Sequence, residues 1–435
     1  MIEQALFLLL LIIAITFFTK NVKKVIRNIK LGQPEDRSDN PVLRWKTMLK
    51  VAFGQTKMIA RPIPALLHFF VYAGFIIINI EVVEIILDGI VGTHRIFASP
   101  LGSFYTFLIA SFEWLAISVI IACTIFLVRR NILRIRRFFG VEMTPWPRSD
   151  ANYILYFEII LMSAFLLMNA SDYKLQPLIT DNHLSSSTFP ISSLLADILP
   201  SNTDMLHSSE RLFWWLHIIG IFVFLNYLPY SKHFHILMAF PNTYYSKLSP
   251  SAELNNMAVV TNEVKAMTDP SFQPVELTNP GTFGAKDVNE LSWKSLMDAY
   301  TCTECGRCTS ECPANITGKL LSPRKIVMDT RDRLTEVGEN IDKHGKDYLD
   351  GKSLLDDYIS REELWACTTC QACIKACPVN IDPLAIIMDL RRYIVMEESK
   401  APSSINNMLS NIENNAAPWK YSASDRFNWA QNINT

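Results

Sequence analysis

The sequence is short of uncompensated charge. Its 435 residues carry a formal net charge of −1, and no basic face stands out that could neutralise phosphates, so nothing favours nucleic acid as a partner. It also lacks a phosphate loop, a dinucleotide fingerprint and any nucleophile–base pair, the commonest signatures of nucleotide chemistry and covalent catalysis. Cysteine is sparse and strongly grouped. Of nine cysteines, Cys123 stands alone in an apolar run and the other eight form two sets of four. Such sets in a polar region argue for metal ligation in a reducing compartment and against a secreted disulfide framework.

Long hydrophobic runs are abundant, but only up to about residue 240. Five stand out, roughly 4–19, 63–87, 103–128, 153–170 and 212–230, each near the length of about 20 residues that crosses a hydrocarbon core. The first is short and starts at Met1, so a signal peptide is the competing reading. It runs into Lys20, Asn21, Val22, Lys23 and Lys24 rather than a small-residue cleavage site, and a retained helix is expected. Lysine and arginine crowd the loop between the first and second runs, from Lys20 to Arg61, and the loop from Arg129 to Arg148; the other two loops are nearly free of them, with Arg95 in one and Lys174 in the other. Basic loops stay in the cytoplasm. The N-terminus is therefore expected outside the cytoplasmic (inner) membrane, and everything after the fifth run inside the cell.

Four regions are expected: a membrane domain over 1–240, an extended linker over 241–292 marked by Pro241, Pro250, Pro270, Pro274 and Pro280, a helical cysteine domain over 293–400, and a polar tail over 401–435. The cysteine domain repeats itself. Cys-Pro-Ala-Asn-Ile at 312–316 and Cys-Pro-Val-Asn-Ile at 377–381 each precede a helical stretch, opened by Ser322-Pro323 and Asp382-Pro383 as cap and first helical residue.

Cys302, Cys305, Cys308 and Cys312 have the spacing C-x2-C-x2-C-x3-C-P, and Cys367, Cys370, Cys373 and Cys377 repeat it. Three closely spaced thiolates can hold three corners of an iron–sulfur cube, while the fourth reaches the other cube. The expected ligand sets are crossed: Cys302, Cys305, Cys308 and Cys377 for one [4Fe–4S] cluster, Cys367, Cys370, Cys373 and Cys312 for the other. Structural zinc would instead use separated C-x2-C knuckles. The 54 residues between the runs, with the segment Trp365-Ala366-Cys367-Thr368-Thr369-Cys370-Gln371-Ala372-Cys373, Cys377-Pro378-Val379 and Asp389-Leu390-Arg391-Arg392, resemble the α-helical ferredoxin domain of heterodisulfide reductase, fumarate reductase and glycerol-3-phosphate dehydrogenase iron–sulfur subunits. The cysteine- and glycine-rich CCG domain that often accompanies it is not in this sequence, so a separate catalytic subunit, with a CCG domain or a flavin, is the expected partner.

The five runs resemble the cytochrome b subunit of respiratory nitrate reductase. That resemblance implies haem b ligands on the second and fifth spans, here His68, His217 and His235. The last two are 18 residues apart, about 27 Å along an unbroken helix and less if Pro229 bends it. By depth His68 pairs with His235; His217 then lacks a partner, because Ile77, Ile78 and Asn79 occupy the place where one would sit, and one haem is expected rather than two. Interhelical hydrogen bonding or a quinone contact is the competing role for these histidines. His233 is expected at the interface, His94, His183 and His207 in outer loops, and His344 in the soluble domain. Among intramembrane acids, Glu113 is the expected proton-path residue, with Glu158 also at membrane depth and Glu81 and Glu84 near a boundary.

The fold expected is all-α, a five-helix transmembrane bundle followed by an α-helical ferredoxin domain with two [4Fe–4S] clusters. The function expected is electron transfer between a membrane quinone and a cytoplasmic redox partner; the alternative is an anchored docking ferredoxin without haem or quinone.

Overall fold

A backbone surrounded by hydrocarbon has no water to bond with, so each apolar run must close its hydrogen bonds within itself. The computed structural model describes residues 1–179, 188–249, 253–274, 281–431 and 433; His183, Pro250 and Pro280 lie outside them. Among the described residues, five helices are long and apolar enough to cross a membrane: α1 (Ile2–Ile29), α2 (Pro62–Val91), α3 (Ser103–Leu127), α4 (Trp146–Ile179) and α5 (Thr203–Tyr227). No β-strand occurs among the described residues, and the fold is all-α as expected. The helices overrun the apolar runs because hydropathy measures the greasy stretch, not the hydrogen-bonded one. α5 starts at Thr203, where Asn202 accepts hydrogen bonds from the N–H groups of Asp204 and Met205, so His207 is helical rather than in a loop.

The five helices pack as a closed ring in chain order, α1 on α2, α2 on α3, α3 on α4, α4 on α5 and α5 back on α1. Phe7, Ile109, Phe112, Phe165 and Ile218 fill the middle, while Leu9, Ile12, Phe69, Trp114 and Val223 face outward, as a lipid-covered surface requires. Close approach depends on a missing side chain at Gly89, where a Cβ would stand 2.7 Å from the Phe7 ring.

Both basic loops lie at the proximal end of the ring, the end that meets the cysteine domain. A break at Pro229 and Ser231 ends α5 and starts α6 (His235–Tyr244), so His217 and His235 are not on one helix. Within the stretch expected as an extended linker, α7 (Ala258–Thr268) forms an exposed helix. The cysteine domain is built on α8 (Trp293–Thr301), α9 (Pro323–His344) and α10 (Pro383–Arg392) around Leu296, Ile326, Leu334, Leu364, Ile386 and Leu390. Ser322 and Asp382 cap α9 and α10 by accepting from the N–H groups of Lys325 and Ala385. In the polar tail, α11 (Ser403–Asn415) is helical and largely exposed.

The domain is fastened to the ring. Arg27 donates to the Gly338 carbonyl at 2.8 Å, Asn28 to the Tyr300 hydroxyl at 2.8 Å, and Lys24 pairs with Asp342 at 2.8 Å. Arg324, nearly fully buried, pairs with Glu142 at 2.7 Å and donates to the Arg137 carbonyl at 2.6 Å.

Candidate functional site

Each cysteine run folds as the same loop. Glu304 (φ 53°) and Gly306 (φ 69°) in the first, and Thr369 (φ 56°) and Gln371 (φ 61°) in the second, occupy the left-handed region at matching positions. These reversals turn backbone N–H groups toward sulfur: Glu304 N–H reaches Cys302 Sγ at 3.4 Å, and Thr369 N–H reaches Cys367 Sγ at 3.4 Å. Ile381 N–H adds a bond to Cys377 Sγ at 3.3 Å. Donors aimed at sulfur stabilise thiolate and tune a cluster's potential.

Cys302, Cys305, Cys308 and Cys377 line one hollow together with Gly306, Val327, Pro378 and Ile381. Residues of this expected set, from both runs, thus border one hollow. On the other side, Cys312 and Cys370 lie within electrostatic range of Cys367, and Cys312 and Cys367 within range of Cys373. Burial, with Glu304 adding, pushes the Cys302 thiol up to about 12, and burial, with Cys305 adding, does the same at Cys377. A bound metal centre would hold thiols buried this way as thiolates. The donor set, its dry setting and the N–H groups aimed at sulfur fit an iron–sulfur cluster.

The two loops have unlike surroundings. Arg307 of the first donates to the Lys57 carbonyl at 3.0 Å, Arg61 donates to Ser310 at 2.6 Å, and Lys232 pairs with buried Glu304, which also binds Arg331 at 2.6 Å. Around the second, Thr368, Cys370 and Lys375 are exposed, as are Ile316 and Leu320 just after Cys312. Lys57 reaches across to the Ile374 carbonyl at 3.5 Å.

Three histidines gather at the proximal end of the ring. His68 and His235 stand with ring centroids 6.4 Å apart. The His68 Nδ1 meets Gln55 Oε1 at 3.1 Å, and the His235 Nδ1 donates to the Lys232 carbonyl at 3.0 Å. A carbonyl only accepts, so it fixes the proton on Nδ1 and leaves Nε2 with a free lone pair. His233, expected at the interface, is instead buried 5.5 Å from the His235 ring, and its Nε2 has no partner; the turn after Pro229 folds it inward, which a hydropathy pattern cannot register. His217 is apart from this group, its Nδ1 donating to the Leu161 carbonyl at 2.9 Å and its Nε2 unpartnered.

Glu113, the expected proton-path residue, is fully hydrogen-bonded. Asn169 donates to it at 3.1 Å, and the N–H groups of Ile191 and Ser192 donate at 2.8 and 3.0 Å, so it ties a loop to the ring. Glu81 and Glu84, expected near a boundary, are both buried, and Glu158 is buried on α4. His94 pairs with Asp172 at 3.4 Å, and His344 stacks on Tyr348 at 4.3 Å.

Residues 301–381 match the family model of the 4Fe-4S dicluster domain. Fold and loops together define an iron–sulfur membrane protein, a helical ring bearing a dicluster domain. Among curated proteins, the chain is 29% identical to the Probable iron-sulfur-binding oxidoreductase FadF of Bacillus subtilis, over 98% of this chain and 60% of that protein. It is 26% identical to the EtfAB:quinone oxidoreductase of Syntrophomonas wolfei, over 90% of this chain and 54% of that one. Over 24% of its length it is 34% identical to one subunit of the ferredoxin/F(420)H(2)-dependent CoB-CoM heterodisulfide reductase of Methanosarcina acetivorans, covering 52% of that subunit. The chain thus spans little more than half the length of its first two relatives. No solved structure matches it.

Proposed function

We propose that this chain carries electrons between a quinone in the membrane and a redox partner in the cytoplasm. Cys302, Cys305, Cys308 and Cys377 would hold one [4Fe–4S] cluster, and Cys367, Cys370, Cys373 and Cys312 the other; each supplies one-electron storage at a fixed position. The exposed second loop is the entry for a separate subunit with a flavin or CCG domain, and the first passes charge on to the ring. A relative named as an EtfAB:quinone oxidoreductase makes an electron-transfer flavoprotein the favoured partner. The loops rich in lysine and arginine would keep the cysteine domain in the cytoplasm.

One observation carries the reading. The paired imidazoles of His68 and His235 sit directly beside the first cysteine loop: Arg307 lies within electrostatic range of His68, and Lys232, whose carbonyl orients His235, binds Glu304 of that loop. A centroid separation of 6.4 Å would let one iron take both imidazoles through metal–nitrogen bonds of about 2 Å. His68 and His235 would therefore hold a single haem b, with His217 left as a hydrogen-bonding residue. The test is a reduced-minus-oxidised spectrum of the purified full chain. A b-type absorption band reduced by a quinol is the expected result; no such band and no quinol response would leave the ring an anchor and the chain a docking ferredoxin.

A further inference from the structure

The end of the ring remote from the cysteine domain, the distal end, holds a polar hollow that electron transfer does not require. It is lined by Glu81, Glu84 and Asp88 of α2, by His94 and Arg95 of the following loop, by Asp172 of α4, and by Glu210, Arg211 and Trp214 of α5. Almost every polar atom there is spoken for. Arg95 donates to Asp172 at 2.7 Å, to Asn169 at 2.8 Å and to the Tyr105 hydroxyl at 3.0 Å; Tyr105 in turn donates to Glu84 at 2.9 Å. Asp88 accepts from Thr93 and from the N–H groups of Arg95 and Ile96. Arg211 is taken by Glu210, with Glu3 of α1 also within its electrostatic range.

The exception is Glu81. It is 3% exposed, and its Oε2 is buried with no hydrogen-bond partner. Arg95, Glu84, Glu113 and Asp172 lie within its electrostatic range, but the only cation among them is already bound to other groups. The hollow therefore gathers five carboxyls against two guanidinium groups, and one carboxyl oxygen is left for whatever fills the space. A buried carboxylate without a donor is too costly to persist, so the site is completed by a small cation. His94, whose side chain is 47% exposed while its ring meets Asp172, stands at the mouth.

We propose that this hollow is a proton port, with Glu81 as its inner terminus and His94 and Asp172 at its opening. The exchange is a proton transfer and its return: the O–H bond of the Glu81 carboxyl breaks as its proton passes to water in the hollow, giving hydronium, and a proton delivered from the mouth re-forms that bond, so the carboxylate is only transient. No electron moves. The inference needs neither haem nor quinone, so it stands or falls apart from the electron-transfer reading.

The experiment is an infrared titration of the purified full chain in lipid, following the carbonyl stretch of protonated carboxyl groups. Glu81→Gln should lose one band that Glu113→Gln keeps, and Glu81→Asp should retain it at a shifted frequency, which separates loss of the acid from loss of the fold. His94→Leu should slow deuterium exchange at that band without removing it. Replacing potassium chloride by sodium chloride at fixed pH should leave it unchanged. A band that survives in Glu81→Gln overturns the proposal, as does the absence of any such band, or its removal by sodium, which would make the occupant a metal cation.

Discussion

The two cysteine loops are copies in sequence and in backbone, yet they live in different places. Both use left-handed residues at the same two positions, and both turn an N–H toward the first sulfur. The first loop is clamped under the ring by Arg61, Lys57 and Lys232, whereas the second presents Thr368, Cys370 and Lys375 to solvent. The repeat thus fixes the backbone of the loop, and the surroundings decide which copy lies open to solvent and which lies against the ring. Copies that share a geometry can be told apart only by breaking them one at a time.

The largest effect should come from the crossed fourth cysteines. Cys377→Ser should abolish the cluster of the first loop, and Cys312→Ser that of the second, each lowering iron and acid-labile sulfide by about half. Electron paramagnetic resonance of the remaining cluster decides the assignment. If Cys377→Ser instead removed the cluster of the exposed loop, the two runs would not be crossed.

Next come the histidines beside the clamped loop. His68→Ala and His235→Ala should each abolish a b-type band while His217→Ala leaves it, measured as absorbance per chain. Retention of the band in both proximal variants would detach haem from this site.

A third variant probes the clamp itself. Burial alone would raise the Glu304 carboxyl, but Lys232 and Arg331 hold it below its ordinary value. Glu304→Gln removes the carboxylate that Lys232 and Arg331 share and leaves them only Asp150 at 3.9 Å and Asp332 at 3.0 Å; losing one partner of a buried pair costs about 3 kcal/mol and should lower the thermal midpoint of the full chain. A depressed carboxyl stabilises only while it is ionised. The gap from the parent protein should therefore be full at neutral pH and close as pH falls below about 4. The equivalent change in the second loop, Thr369→Ala, should be nearly silent by comparison.

Much of this was legible beforehand because two signals are strong. A hydrocarbon-length apolar run has few alternatives to a helix, and the doubled cysteine spacing has few to a dicluster loop. The proline and cap pairs at Ser322 and Asp382 likewise state their own geometry. What escaped was what depends on the chain's return. His233 is buried because the turn after Pro229 folds back on α5; Glu113 is occupied because residues 191 and 192 come to it from far along the chain. Glu81 reads like its neighbour Glu84, and only the partners that Glu84 has and Glu81 lacks separate them.

The smallest effect sharpens the comparison most. Gly306 and Gln371 occupy the same place in the repeat with nearly the same φ, yet one is glycine and the other is not. A Cβ on Gly306 would come within 2.6 Å of Arg324 Nη1. Arg324 cannot move aside, because Glu142 and the Arg137 carbonyl hold it in a buried site. Gln371 is only partly buried, and its left-handed conformation is strained without being blocked. Gly306→Ala should therefore cost roughly 2 kcal/mol, from strain plus displacement of Arg324. Gln371→Gly should fall within about 1 kcal/mol of neutral, since relief of strain is offset by the entropy glycine loses on folding. Chemical denaturation of the full chain measures both. Equal costs would mean that the ring's grip on the first loop does not reach its backbone, and that burial rather than clamping is what distinguishes the copies.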